Sequence, residues 1–71
     1  MRLELEVLIA TQDALEAIGQ GHTLAQYAAC HKAEYRQMAT TIYENAELLV
    51  RSMGQRKALN HIARGIDSYR E

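Results

Sequence analysis

The chain has no proline and a single cysteine, Cys30, among its 71 residues. One cysteine excludes an intrachain disulfide. A lone free thiol fits a reducing compartment, so a cytoplasmic setting is expected. The missing proline removes the commonest helix breaker, and abundant Ala, Leu, Glu, Gln and Arg favour helix. Long apolar runs are missing as well. The longest is Val7-Leu8-Ile9-Ala10, too short to span a bilayer. Met1 to Glu6 carry acids where a secretory leader wants a basic start and an apolar stretch, so no leader is expected. A chain this short forms one domain, residues 1–71, with a thin core. Below roughly 80 residues a core rarely supplies more than ~3–5 kcal/mol. With no disulfide to help, self-association is the expected source of further stability.

The net charge is −1 but unevenly spread. Residues 1–20 carry −3, residues 21–50 carry −1 and residues 51–71 carry +3. The acidic start and basic end suit attraction between subunits, and the basic end suits an acidic partner.

Hydrophobic periodicity predicts an all-α protein of three helices, about 3–18, 24–53 and 55–70. In the first, Leu3, Val7, Leu8, Ala10, Ala14, Leu15, Ala17 and Ile18 share one face and Arg2, Glu6, Asp13 and Glu16 oppose it. Leu3, Leu5, Val7 and Ile9 also alternate with Arg2, Glu4 and Glu6. A swapped strand in a dimer is therefore the rival reading of residues 2–9. Gly19-Gln20-Gly21 should close the first helix. Thr23-Leu24-Ala25-Gln26 has the spacing of a capping box and should open the second.

That second helix reads as one unbroken rod from Leu24 to Met53, about 45 Å long. Positions 24, 28, 31, 35, 38, 42, 45 and 49 alternate steps of four and three, as in a coiled-coil seam. A rod longer than its two companions leaves apolar surface uncovered, and a second copy would cover it. The expected dimer seam is Leu24, Ala28, His31, Tyr35, Met38, Ile42 and Leu49, with Asn45 as a polar seam residue. Gly54 should end the rod, with Ser52 and Gln55 capping a third helix whose apolar face is Leu59, Ile62, Ala63, Ile66 and Tyr69. Gly65 at the edge of that face should permit close helix approach.

Few residue groups suggest chemistry. Cys30 and His31 diverge by about 100° on a helix. The chain has no CxxC and no histidine pair at i, i+4. Glu44 and Glu47 lack the Glu-x-x-His step of bundle metal sites. No phosphate loop or nucleophile motif is present. The expectation is a protein that is not an enzyme, with no cofactor, metal or membrane segment.

The leading functional reading is a protein-binding module, an adaptor or small inhibitor of a larger protein, acting as a homodimer. On size alone it would suit a phage or mobile-element factor. Partner-binding candidates are Leu5 and Ile9, one turn apart, the rim tyrosines Tyr27 and Tyr43, and Leu48 on the polar side. The alternative is a DNA-associated transcriptional regulator using the basic C-terminal helix, with Arg51, Arg56, Lys57 and Arg64 (and His61 beside them) on phosphates.

Overall fold

The computed structural model describes residues 2–69, and side chains for 5–69. Leu3 on the apolar face, and residue 70 at the end of the third expected helix, lie outside the described residues and side chains. Every element is helical: α1 Arg2–Gly19, α2 Leu24–Ala29, a 3-10 turn Ala33–Tyr35, α3 Arg36–Met53 and α4 Gln55–Ser68. Residues 2–9 are thus helix and not a swapped strand. Among the described residues no helix is long and apolar enough to cross a membrane.

The glycine and threonine signals form the local structure their chemistry implies. Gly21, at φ 86°, sits one residue past the cap of α1. Gly21 N–H donates to the Ile18 carbonyl and His22 N–H to the Ala17 carbonyl, each at 3.0 Å. This is the Schellman pairing, which uses carbonyls that the helix end leaves free. The Thr23 hydroxyl then accepts Gln26 N–H at 3.2 Å, and the Gln26 side chain accepts Thr23 N–H at 2.8 Å. Both halves of the capping box are present.

The expected rod from Leu24 to Met53 does not exist. The chain leaves helix at Cys30, passes through an extended Lys32 (φ −61°, ψ 150°), and re-enters through the 3-10 turn. Neither glycine nor proline causes this break. On a straight helix Tyr27 and Tyr43 lie on opposite rims of the apolar arc, so one rod cannot bury both. Bending between them places both in the core, each about 5% exposed. The bend exposes little unpaired backbone. The Tyr27 carbonyl meets His31 Nδ1 at 2.9 Å and Cys30 N–H at 3.2 Å, and the Arg36 Nε donates to the His31 carbonyl. Burying two aromatic side chains outweighs the few helical bonds given up.

Gly54 joins α3 to α4 alone, at φ 87° and ψ 160°, a conformation essentially restricted to glycine. Ser52 and Gln55 do not cap α4 as expected. The Ser52 hydroxyl donates back to Leu49. The Gln55 side chain reaches α1 instead, donating to the Leu15 carbonyl at 2.7 Å. Gln55 lies beside Gly19, and Gly65 lies beside Leu8, so α1 and α4 run antiparallel. A Cβ on Gly65 would stand 3.3 Å from Leu8 Cδ1, the close approach its position implied.

The core is Ala14, Leu15, Ala17, Tyr27, Ala39, Ile42, Tyr43, Ala46, Ala58, Ile62 and Ile66. Five of these eleven are alanine, which lets the helices approach closely but keeps the core thin. Leu15 is the largest side chain with essentially no exposure. The Cα extents are 34 × 26 × 16 Å, so the molecule is a slab with two broad faces.

Candidate interaction surface

The expected seam residues are split by the bend. Ile42 is buried inside the subunit's own core, and Leu24 and Leu49 pack partly against it. Ala28 and His31 are half-buried near the bend. Only Tyr35 and Met38 stand well out, 50% and 60% exposed. These seven residues therefore do not form one line along one rod.

The partner-binding candidates divide similarly. Tyr27 and Tyr43, expected at the rim, are core residues whose hydroxyls are bonded inside the subunit. Tyr27 donates to Asp13 Oδ2 at 3.2 Å, and Tyr43 to the His22 carbonyl at 2.6 Å. Their ring centroids are 5.6 Å apart, and Tyr27 also packs on His31 at 4.8 Å. Burial, with the negative charge of Asp13 beside it, pushes the Tyr27 hydroxyl up to about 12. Burial, with Glu47 nearby, raises Tyr43 in the same direction. Leu5 packs partly against the core. Ile9 at 49% and Leu48 at 57% stay exposed, as does Val7 at 47%. Val7 was not singled out from the sequence, because it shares the wheel face of Ala14 and the buried Thr11. The cover given by the other helices stops short of it.

A shallow cleft of about 260 Å³ opens where α1 meets the bend, with Asp13, Glu16, His22, Tyr27, Cys30 and His31 on its walls. Cys30 is an exposed free thiol. The Tyr27 hydroxyl here is held protonated and tied to Asp13, so it serves as a structural donor. Among the described residues no three His, Cys, Asp or Glu side chains converge to hold a metal ion.

The basic residues Arg51, Arg56, Lys57 and Arg64 are all exposed. Arg51 lies in the last turn of α3, where a cation favours the helix dipole. Lys57, His61 and Arg64, at steps of four and three, form a stripe along one exposed side of α4. Arg56 lies on a different side of the helix.

No family model, curated protein or solved structure matches this chain.

Proposed function

We propose that the protein is a small helical protein-binding module, an adaptor or inhibitor of a larger protein, acting as a homodimer in the cytoplasm. One observation carries this reading. The subunit already encloses a core, yet Val7, Ile9, Tyr35, Met38 and Leu48 remain about half exposed or more. Single apolar residues on a surface are ordinary. These five, carried by α1, the 3-10 turn and α3, are apolar area whose covering would give a partner binding energy. Ile9 on α1, with the half-buried Leu5 one turn before it, is the contact for the larger protein. The acidic start and basic end orient the approach. The exposed Cys30 thiol is compatible with a reducing compartment.

The test is recovery of a bound protein from the native host's lysate by the wild-type chain and by Ile9→Asp. A protein retained by the wild type and lost by the variant, with helical content unchanged, supports the reading. Equal retention by both refutes the α1 contact.

A second reading, a DNA-associated regulator, is favoured by the Lys57–His61–Arg64 stripe on α4. It predicts binding to duplex DNA that weakens steeply with salt and is abolished by Lys57→Glu with Arg64→Glu. Capture of a protein partner without binding to duplex DNA separates the first reading from this one.

A further inference from the structure

The bend between α2 and α3 carries none of the signals found at the other two turns. The end of α1 has Gly21 and the Thr23–Gln26 capping box, and the α3–α4 junction has Gly54. At the bend, Lys32 is the N-cap of the 3-10 turn and Tyr35 that of α3, and neither side chain makes a cap bond. Residues 30–35 include no glycine or proline. Of Cys30, Lys32, Tyr35 and Arg36, only Lys32, at ψ 150°, lies outside the right-handed helical region. The helical bonds given up are those of the Lys32, Ala33 and Glu34 N–H groups, which donate to no backbone carbonyl. Apart from the His31 and Arg36 side-chain bonds, tertiary packing alone holds the chain bent.

We infer that this bend is a hinge at which two copies of the chain exchange halves. In the exchanged pair, α1 and α2 of one chain pack on α3 and α4 of the other, and residues 24–53 of each chain run as one helix. The inference rests on the homodimer reading above and says how that dimer forms.

A second copy fits because the fold itself already shows every contact it would make. The core divides at the hinge. Of its larger members, Leu15 and Tyr27 precede the bend, and Ile42, Tyr43, Ile62 and Ile66 follow it. Two long-range bonds cross the same divide, from the Tyr43 hydroxyl to the His22 carbonyl at 2.6 Å and from the Gln55 side chain to the Leu15 carbonyl at 2.7 Å. The Tyr27 and Tyr43 rings meet across it at 5.6 Å. The bond from Tyr27 to Asp13 stays within the first half and ties α2 to α1. An exchanged pair remakes the crossing contacts with the other chain's residues.

Exchange also removes the conflict that bends the single chain. On one straight helix Tyr27 and Tyr43 stand about 160° apart at 100° per residue, so a lone subunit cannot bury both in one core. In an exchanged pair they enter two different cores, and the straight helix and both buried rings coexist. The Lys32, Ala33 and Glu34 N–H groups regain helical carbonyls. Ala28, His31, Tyr35 and Met38 then fall at steps of three, four and three on one side of the helix, the spacing by which two helices pack.

The experiment is refolding from urea at high chain concentration, under reducing conditions, followed by gel filtration and sedimentation equilibrium. The wild type should yield a dimer that persists on dilution, because release requires opening a core. In a dimer refolded from mixed isotope-labelled and unlabelled chains, a filtered spectrum should show nuclear Overhauser contacts between the Tyr27 ring of one chain and the Tyr43 ring of the other. Ala33→Pro should abolish the dimer with helical circular dichroism unchanged. Proline suits the first position of the 3-10 turn and follows an extended residue, which Lys32 already is, but it breaks a straight helix. Lys32→Ser, which supplies the missing cap to the bend, should weaken the dimer by roughly fivefold per chain. A dimer without Tyr27–Tyr43 contacts between chains overturns the exchange and leaves the homodimer reading in place. So does a dimer that neither hinge substitution weakens. A wild-type chain that stays monomeric after concentrated refolding overturns both, and leaves the α1 contact with a larger protein to stand or fall on its own test.

Discussion

Gln55 and Leu15, 40 residues apart, are joined by a 2.7 Å bond from the glutamine side chain to the leucine carbonyl, which clamps the first turn of α4 onto α1. The clamp depends on Gly19, because a Cβ there would stand 2.9 Å from Gln55 Nε2. Gln55→Ala should cost about 1 kcal/mol. Gly19→Ala should destabilise the wild type, since the amide must move. In the Gln55→Ala background the same change should be neutral or stabilising, because alanine is the better helix former. Urea unfolding of the four proteins measures this coupling. Additive effects would mean that Gly19 and Gln55 do not share a contact.

The α3–α4 junction should tolerate no side chain. Gly54 holds φ 87° and ψ 160°, so Gly54→Ala should cost about 1–3 kcal/mol. Nothing lies within 4 Å of a Cβ at Gly54 or at Gly21, so the penalty at either is backbone strain alone. Gly21 lies in the left-handed region that asparagine also adopts. Gly21→Asn should therefore be milder than Gly54→Asn. Thermal unfolding of the two variants gives the order, and the reverse order would contradict the two backbone conformations.

Alkaline stability should turn on Tyr27. Its folded hydroxyl is pushed up to about 12 by burial and Asp13, against about 10 in an unfolded chain. The unfolded chain releases the proton first, so stability is unaffected below about pH 10 and falls as pH rises from about 10 to 12. Tyr43 is shifted the same way and adds to that slope. Tyr27→Phe should flatten the dependence measured by denaturant titration at each pH. A slope unchanged in Tyr27→Phe would place the alkaline sensitivity elsewhere.

Tyrosine and leucine on the same helix should respond to very different degrees. Tyr43 is buried and donates to the His22 carbonyl. Tyr43→Ala should thus cost about 3–5 kcal/mol, as for other large buried aromatics. Tyr43→Phe should cost about 1 kcal/mol for the lost bond. Leu48→Ala, on the exposed side, should lie within about 0.5 kcal/mol of wild type in a dilute, monomeric sample. Chemical unfolding at low concentration checks all three.

Local grammar was written in the sequence. Gly21, Thr23, Gln26 and Gly54 act within a few residues of themselves, and their backbone conformations follow from short-range sterics and hydrogen bonds. The apolar faces of α1 and α4 follow from periodicity only in part, since Val7 and Tyr69 are exposed while Thr11 and Ala58 are buried; Gly65 marked the close approach to Leu8. What remained hidden was the bend at Cys30–Lys32, and with it which residues of the second helical segment face outward. A wheel drawn through an unbroken rod keeps Tyr27, Tyr35, Ile42 and Tyr43 in a single arc. Only the competition for one small core, where Tyr27 reaches Asp13 of α1 and Tyr43 packs on Tyr27 and reaches the His22 carbonyl, breaks the helix and turns Tyr35 and Met38 to the surface. The drift of those tyrosines from rim to rim was the one trace of it in the sequence. Helix propensity is a small energy per residue, and burial of a side chain is a larger one that depends on residues far along the chain. For that reason the chain alone set where helices begin and end at its glycines, while tertiary packing decided where the middle helix broke and which face of α3 was left open.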